Sequence, residues 1–167
     1  MTTTVSTRRL PRRILVMMWE DIFAVVDDGR APLSDYGVLR ELIAEQHARY
    51  PSGLACLAII PANAKPPSEE VRKALNATLE SVPLSCICWY VEGSGFQASM
   101  VRAVLGGLRF LTRRSYPTFV ASELEAAVEW IFAQLERKSR RRRSVSEAVA
   151  AIREQRVAGQ LDATVWS

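Results

Sequence analysis

The sequence predicts an α/β protein with a mixed, mostly parallel β-sheet. Short apolar runs typical of strands alternate along the chain with segments whose apolar residues recur at helical spacing. One of these runs, residues 54–60, is apolar throughout, as expected of a central strand covered on both faces. Repeated strand–helix units favour parallel strands joined by right-handed crossovers. The predicted element order is β-β-α-β-α-β-α-β-α, followed by a C-terminal helical tail.

The first half of the predicted domain begins with a β-hairpin. Residues 14–19 and 22–26 are apolar, and the two polar residues between them, 20–21, give the spacing of a tight connection between antiparallel strands. A helix is predicted at about 34–50, because its apolar residues recur at helical spacing and a Pro-Ser-Gly segment follows it. The apolar run 54–60 is the next strand.

The second half of the domain continues the alternation. A helix begins at Ser68, residues 86–91 form a strand, and a further helix is predicted over 96–112. A short strand at 117–121 leads into a capping box at 122–125, which starts the last helix of the domain. In the 96–112 helix, six apolar residues are predicted to face the core: Met100, Val101, Val104, Leu105, Leu108 and Leu111.

The chain divides into three predicted parts. Residues 1–12 are polar and then basic and are predicted to be disordered, and the α/β domain occupies 13–136. Residues 137–167 are predicted to form a basic linker and a C-terminal helix that begins at a second capping box, 144–147. This tail is expected to dock a partner or a second copy through Trp166 and a narrow apolar stripe. The stripe consists of Val145, Ala148, Val149 and Ile152.

The positive charge is concentrated in the linker. The whole chain has a net charge of +4, from 22 basic and 18 acidic residues. All of the excess lies in one tract of six basic residues, and the rest of the chain, with 16 basic and 18 acidic residues, is near neutral. The tract consists of Arg137, Lys138, Arg140, Arg141, Arg142 and Arg143. Three interpretations are open: contact with nucleic acid or another anionic surface, recognition by a kinase, or a solvated linker before a docking helix.

The residue types that most enzymes use near neutral pH are scarce. The chain has a single histidine, His47, and its three cysteines, Cys56, Cys86 and Cys88, lie in apolar runs. Buried thiols indicate a reducing compartment, and the cysteine spacing does not supply a zinc site. The sequence has neither the roughly eighteen consecutive apolar residues of a membrane span nor an apolar signal-peptide core. We therefore predict a cytoplasmic, non-catalytic protein without metal, cofactor or transmembrane segment.

The order of elements and several local patterns in the domain are shared with a known family. Strand 22–26 is followed by Ala31-Pro32 and by the helical residues 39–43, and two later helical segments are 95–108 and 121–127. These segments resemble the second strand, the first and third helices and the start of the final helix of the STAS domain, the anti-sigma-factor-antagonist or SpoIIAA-like family. The resemblance extends over the predicted α/β domain and implies a non-catalytic protein-binding domain.

The sequence departs from that family at its phosphorylated loop. A typical antagonist carries Asp-Ser-Ser-Gly, or a close variant, after the third strand, where serine or threonine is phosphorylated. Here the matching loop, 60–68, is longer and proline-rich, and only Ser68 stands near that position. Ser68 is a candidate phosphorylation site and also a candidate N-cap of its helix. Ser144 and Ser146, beside the basic tract, are further candidate acceptors for a kinase.

Residues at the ends of two predicted strands are candidates for ligand binding. The turn formed by Glu92, Gly93, Ser94 and Gly95 joins a strand to a helix and could offer backbone amides to a small anion, or its glycines could simply permit a sharp turn. Asp27-Asp28 ends an earlier strand, at the usual crevice of an open α/β sheet. These carboxylates could hold a cation, take part in acid–base chemistry, or lie in a solvated loop.

The leading hypothesis is a non-catalytic, STAS-like interaction or regulatory scaffold protein that binds a protein partner or a second copy of itself. The first alternative is a nucleic-acid-associated protein that uses Arg140–Arg143. The second is a domain that binds a small anion or ligand at the Gly93–Gly95 turn. Catalysis is not predicted, because the sequence contains no recognisable nucleophile–base pair or set of metal ligands.

Overall fold

The computed structural model describes residues 6–9, 13–111, 116–135 and 144–164. Within these ranges the chain forms a six-stranded mixed sheet and five helices, which confirms the predicted α/β class. The strands are β1 (Ser6–Arg9), β2 (Leu15–Trp19), β3 (Ile22–Val26), β4 (Leu54–Ile60), β5 (Leu84–Val91) and β6 (Thr118–Ala121). The helices are α1 (Leu33–Arg49), α2 (Glu69–Glu80), α3 (Phe96–Leu111), α4 (Leu124–Leu135) and α5 (Val145–Thr164).

The strands lie in the sheet in the same order as in the sequence. Strands β1, β2 and β3 pair antiparallel, whereas β3, β4, β5 and β6 pair parallel. The hairpin between β2 and β3 places Trp19 opposite Ile22, with Glu20 in the left-handed region at a φ of 50°. Because the parallel strands share one direction, the loops that follow them meet at one edge of the sheet, which positions the candidate site.

Alternation along the strands divides the core into two layers. On one face, Phe23 and Cys56 pack in a cluster with residues of α1 and α2. On the opposite face, Leu57 and Cys88 pack with residues of α4 and α5. Burial from both sides explains why β4 is apolar throughout.

The prediction that residues 1–12 are disordered is wrong for Ser6–Arg9. These residues form β1, in which Thr7 lies opposite Met17 and Arg8 opposite Val16. The segment is polar and has no apolar alternation, so its sequence carries no strand signal. It pairs with β2 through the backbone, because the unpaired N–H and C=O groups of a strand at the margin of a sheet can accept pairing from another extended segment whatever its side chains.

Helix α5 packs on the α/β body and is not a separate part of the chain. Ala148, Val149 and Ile152 are buried in the same core layer as α4, and α5 also contacts β2. The stripe that was expected to dock a partner is therefore covered within the chain. The burial of such a stripe supplies most of the stability of a helix. Trp166, the other expected docking residue, lies outside the described residues.

The prediction that Met100 and Val104 face the core is wrong, because both side chains are exposed on α3. Val101 and Leu105 are half-buried, and the side chains of Leu108 and Leu111 lie outside the described residues. The helix contacts β5 and β6, and β6 is the margin of the described sheet. A helix at the margin has less sheet to cover, so part of its apolar surface stays exposed.

Candidate functional site

The loops that follow β3, β4 and β5 lie together at the carboxyl edge of the sheet. The amide of Asp27 donates to the carbonyl of Ile59 at 3.3 Å, and the amide of Glu92 donates to the carbonyl of Ile60 at 2.9 Å. The Lys65 amide donates to the carbonyl of Asp28 at 2.9 Å. These bonds bring the predicted site residues of separate strands to one edge, where their side chains determine what the edge can bind.

The carboxylate of Asp27 is hydrogen-bonded at both oxygens. The hydroxyl of the buried Tyr36 donates to Oδ2 at 2.6 Å, and the amide of Gly29 donates to Oδ1 at 2.8 Å. Gly29 can adopt the required φ of 75°, and a Cβ there would lie 2.2 Å from the Lys65 carbonyl oxygen. Burial, and next the hydrogen bond to Asp27, raise the pKa of Tyr36. Asp27 therefore has a structural partner in the core.

Asp28 is neutralised by arginines. Arg13 and Arg30 approach its Oδ2 at 3.1 and 3.2 Å, and the amide of Arg30 donates to Oδ1 at 3.0 Å. Among the described residues, no group of His, Cys, Asp and Glu is arranged to hold a metal ion. The Asp27-Asp28 pair is thus placed to organise a loop, and both carboxylates are engaged by side chains of the protein.

Glu92 is bound by the C-terminal helix. The Arg156 guanidinium donates from Nη1 to Oε1 and from Nη2 to Oε2, and each of the two side chains is only about one-fifth exposed. Burial lowers the pKa of Arg156, while Tyr90 acts in the opposite direction. This paired contact fixes α5 to the end of β5. An anion at the Glu92 turn would lie close to the Glu92 carboxylate and be repelled by it. Arg156 is already bound to that carboxylate and is not available to bind the anion.

The Gly93–Gly95 turn has the geometry that its glycines permit. Gly93 and Gly95 have φ values of 87° and 97°, and a Cβ on Gly93 would lie 3.0 Å from the Cβ of Ala62. Arg102 donates to the carbonyls of Val91 and Gly93 at 3.3 Å and so closes the turn from α3. Ser94 is exposed. These contacts account for the glycines as turn residues, and anion binding there stays a prediction.

The candidate phosphorylation sites are exposed residues at helix starts. The Ser68 hydroxyl accepts a hydrogen bond of 3.3 Å from the amide of Val71 and so caps α2. Ser144 and Glu147 form a reciprocal capping box at α5, with hydrogen bonds of 2.9 and 3.2 Å, and the hydroxyls of Ser144 and Ser146 are 3.0 Å apart. Capping explains Ser68 and Ser144 structurally, and their phosphorylation stays a prediction. The basic tract 137–143 lies outside the described residues.

The cysteines offer little nucleophilic chemistry. Cys56, Cys86 and Cys88 are buried thiols in the interior of the sheet. Burial raises the pKa of Cys88 to about 12, and the neighbouring Cys86 adds to this. A thiol with such a pKa is protonated near neutral pH and is a poor nucleophile.

A surface that the sequence did not reveal lies on α3. Phe96, Met100 and Val104 are 82%, 52% and 58% exposed, and their spacing of four residues places them on one face of the helix. We call these three residues the α3 surface. The apolar periodicity of α3 indicates an amphipathic helix, but periodicity alone does not show that the sheet ends at β6. Clustered exposed apolar side chains are typical of protein-interaction sites.

No family model, curated protein or solved structure matches this chain. The STAS resemblance is therefore a prediction that depends on the segments described above. None of the described helices combines the length and apolar character that crossing a bilayer requires. The inference of a function therefore depends on the contacts at the carboxyl edge of the sheet and on the exposed apolar residues of α3.

Replacing Tyr36 with phenylalanine is expected to lower the free energy of unfolding by about 1.5 kcal/mol near pH 7, because Asp27 loses a buried donor. Since the pKa of Tyr36 is raised on folding, only the unfolded chain loses this proton as pH rises past about 10. The wild type should therefore lose more stability than Tyr36→Phe between about pH 9 and 11. Urea denaturation across this range measures the difference.

The matched control is Tyr50→Phe, which removes the same hydroxyl from a half-buried ring just after the other end of α1. It should change the free energy of unfolding near pH 7 by much less than Tyr36→Phe does. If the free energy of unfolding depended on pH in the same way in the wild type and in Tyr36→Phe, Tyr36 would have the same pKa in the folded and unfolded chain, and the prediction would be wrong.

Proposed function

We propose that this protein is a non-catalytic, STAS-like interaction or regulatory scaffold domain that binds a protein partner through the α3 surface. The observation that carries the proposal is the exposure of Phe96, Met100 and Val104 on one helix face. The carboxylates at the neighbouring edge support it, because Asp27, Asp28 and Glu92 are already engaged by protein side chains. The buried thiols are in keeping with a reducing, cytoplasmic setting.

The chemistry of the α3 surface defines the kind of partner. Its three side chains are apolar, and the nearby Arg102 donates to backbone carbonyls and to the Ser99 hydroxyl. We expect a partner that presents an apolar helix face, because apolar anchors at helical spacing complement such a surface. Binding of this kind should depend weakly on salt, whereas contact of the basic tract with nucleic acid would fall steeply as salt rises.

The test of the proposal uses two valines of equal exposure. Val104, in the α3 surface, is 58% exposed, and Val157, on α5, is 57% exposed. Val104→Glu is expected to weaken partner binding by at least roughly tenfold, which is about 1.4 kcal/mol. Val157→Glu should leave binding within about twofold of the wild type, and neither exposed substitution should change stability by more than about 0.5 kcal/mol.

The measurement is quantitative affinity capture with the full chain, in nuclease-treated extract and at two salt concentrations. A partner counts only if the wild type and Val157→Glu retain it and Val104→Glu releases it. Equal retention by all three proteins would overturn the assignment of the α3 surface. Retention that disappears with nuclease or with salt would favour the nucleic-acid alternative through Arg140–Arg143. Sedimentation of the purified chain determines whether the partner is a second copy.

A further inference from the structure

A small cavity lies between α1 and strands β1 and β2, which are at the opposite margin of the sheet from β6. Arg8 of β1, Trp19 and Glu20 of the hairpin, and Gln46 and Arg49 near the end of α1 contribute to its walls. Its volume is about 160 Å³. At about 30 Å³ per water molecule, this is room for roughly five waters. Sites for drug-sized ligands measure roughly 300–1,000 Å³, so the cavity suits only a small molecule.

Gln46 supplies a buried polar group at this cavity. The residue is 6% exposed, and its Nε2 donates to the carbonyl oxygen of Glu20. Gln46 also lines the cavity. Among the described residues, its Oε1 is not one of the buried side-chain atoms left without a partner, so this oxygen can accept a hydrogen bond from water or from a ligand N–H group. Glu20 itself has a φ of 50°, a conformation that non-glycine residues adopt mainly under local constraint.

The charged residues around the cavity are of both signs. Arg8 and Arg49 provide two guanidinium groups, which suit a carboxylate because they can bind it in a bidentate manner. Glu20 and Glu45 provide two carboxylates on the same cavity. The last turn of α1 adds the negative end of the helix dipole, which stabilises a cation. The remaining lining residues are apolar or aromatic: Val16, Met18, Trp19, Leu42 and Tyr50.

We propose that the cavity binds a small α-amino acid. In this arrangement Arg8 and Arg49 bind the carboxylate, Gln46 Oε1 and Glu45 accept hydrogen bonds from the ammonium group, and Leu42 contacts a short aliphatic side chain. The cavity volume favours a small amino acid over nucleotides and large aromatic amino acids. This site is independent of the α3 surface, so the two proposals succeed or fail separately.

The experiment titrates the full-length protein with L-valine and follows the indole N–H signal of Trp19 by two-dimensional NMR. The signal is identified by its absence from the spectrum of Trp19→Phe. Saturable shifts with a dissociation constant of about 1 mM or tighter are expected. Isovalerate lacks the ammonium group and isobutylamine lacks the carboxylate, so each should bind at least roughly tenfold more weakly than L-valine. L-tryptophan should not shift the signal.

Arg49→Gln should weaken L-valine binding by at least roughly tenfold. The matched control is Arg40→Gln, an exposed position on the same helix that does not line the cavity, and it should leave binding within about twofold. A linear, non-saturating response to L-valine would overturn the proposal. So would binding of isobutylamine as tight as that of L-valine, because the site would then recognise a cation alone. Equal binding by wild type and Arg49→Gln would also overturn it.

Discussion

Replacing Ile152 with alanine is expected to lower the free energy of unfolding by about 2–4 kcal/mol. Ile152 is 2% exposed and belongs to the core layer that joins α5 to α4 and β2. The substitution removes buried methyl and methylene groups and leaves a cavity that neighbouring helices fill only in part. Urea denaturation measures the change. If the slope of the free energy of unfolding against urea concentration is unchanged, the variant is less stable but still unfolds in two states.

The matched control for this prediction lies on the same helix. Val157 is 57% exposed, so Val157→Ala should change the free energy of unfolding by less than about 0.5 kcal/mol. If Ile152→Ala were as mild as Val157→Ala, α5 would not be part of the core.

The larger consequence concerns truncation. Removal of residues 137–167 should destabilise the α/β body, so loss of a partner from such a variant would not by itself locate the binding surface.

The central elements of this fold could be predicted because burial leaves a local pattern. Strand β4 is apolar throughout since both of its faces are covered. The two strands of the hairpin before it are separated by two polar residues. Strand β1 could not be predicted in this way. Its residues pair with β2 through the backbone at the margin of the sheet, and backbone pairing leaves no apolar alternation in Ser6–Arg9.

The candidate site was predictable in position but not in its contacts. Glu92 was expected at the carboxyl edge because it follows a strand, and Ser68 was expected at a helix start because serine is a common N-cap. The partner of Glu92 is Arg156, 64 residues away, and such a long-range pair has no local signature. The exposure of Met100 depends on where the sheet ends, which is a property of the assembled fold.

The second large effect is expected for Arg156→Ala. This variant removes the guanidinium that binds both oxygens of Glu92 and leaves a carboxylate that is only about one-fifth exposed without its cation. Breaking a fully buried pair costs roughly 3–5 kcal/mol, so about 2–3 kcal/mol is expected at this partly exposed site. Arg153→Ala is the control, since Arg153 and Glu125 are 61% and 50% exposed and such pairs contribute about 0–1 kcal/mol.

A double variant separates the value of the Arg156–Glu92 pair from the penalty of an unpaired charge. If the loss in Arg156→Ala arises from the stranded carboxylate, adding Glu92→Gln should recover stability, because a neutral amide costs less to bury than a carboxylate. Stability measured for the wild type, both single variants and the double variant closes a thermodynamic cycle. An additive cycle, with no recovery in the double variant, would mean that Arg156 stabilises α5 by packing and not through Glu92. The same cycle then determines whether the C-terminal helix is held to the end of β5 by charge or by contact area alone.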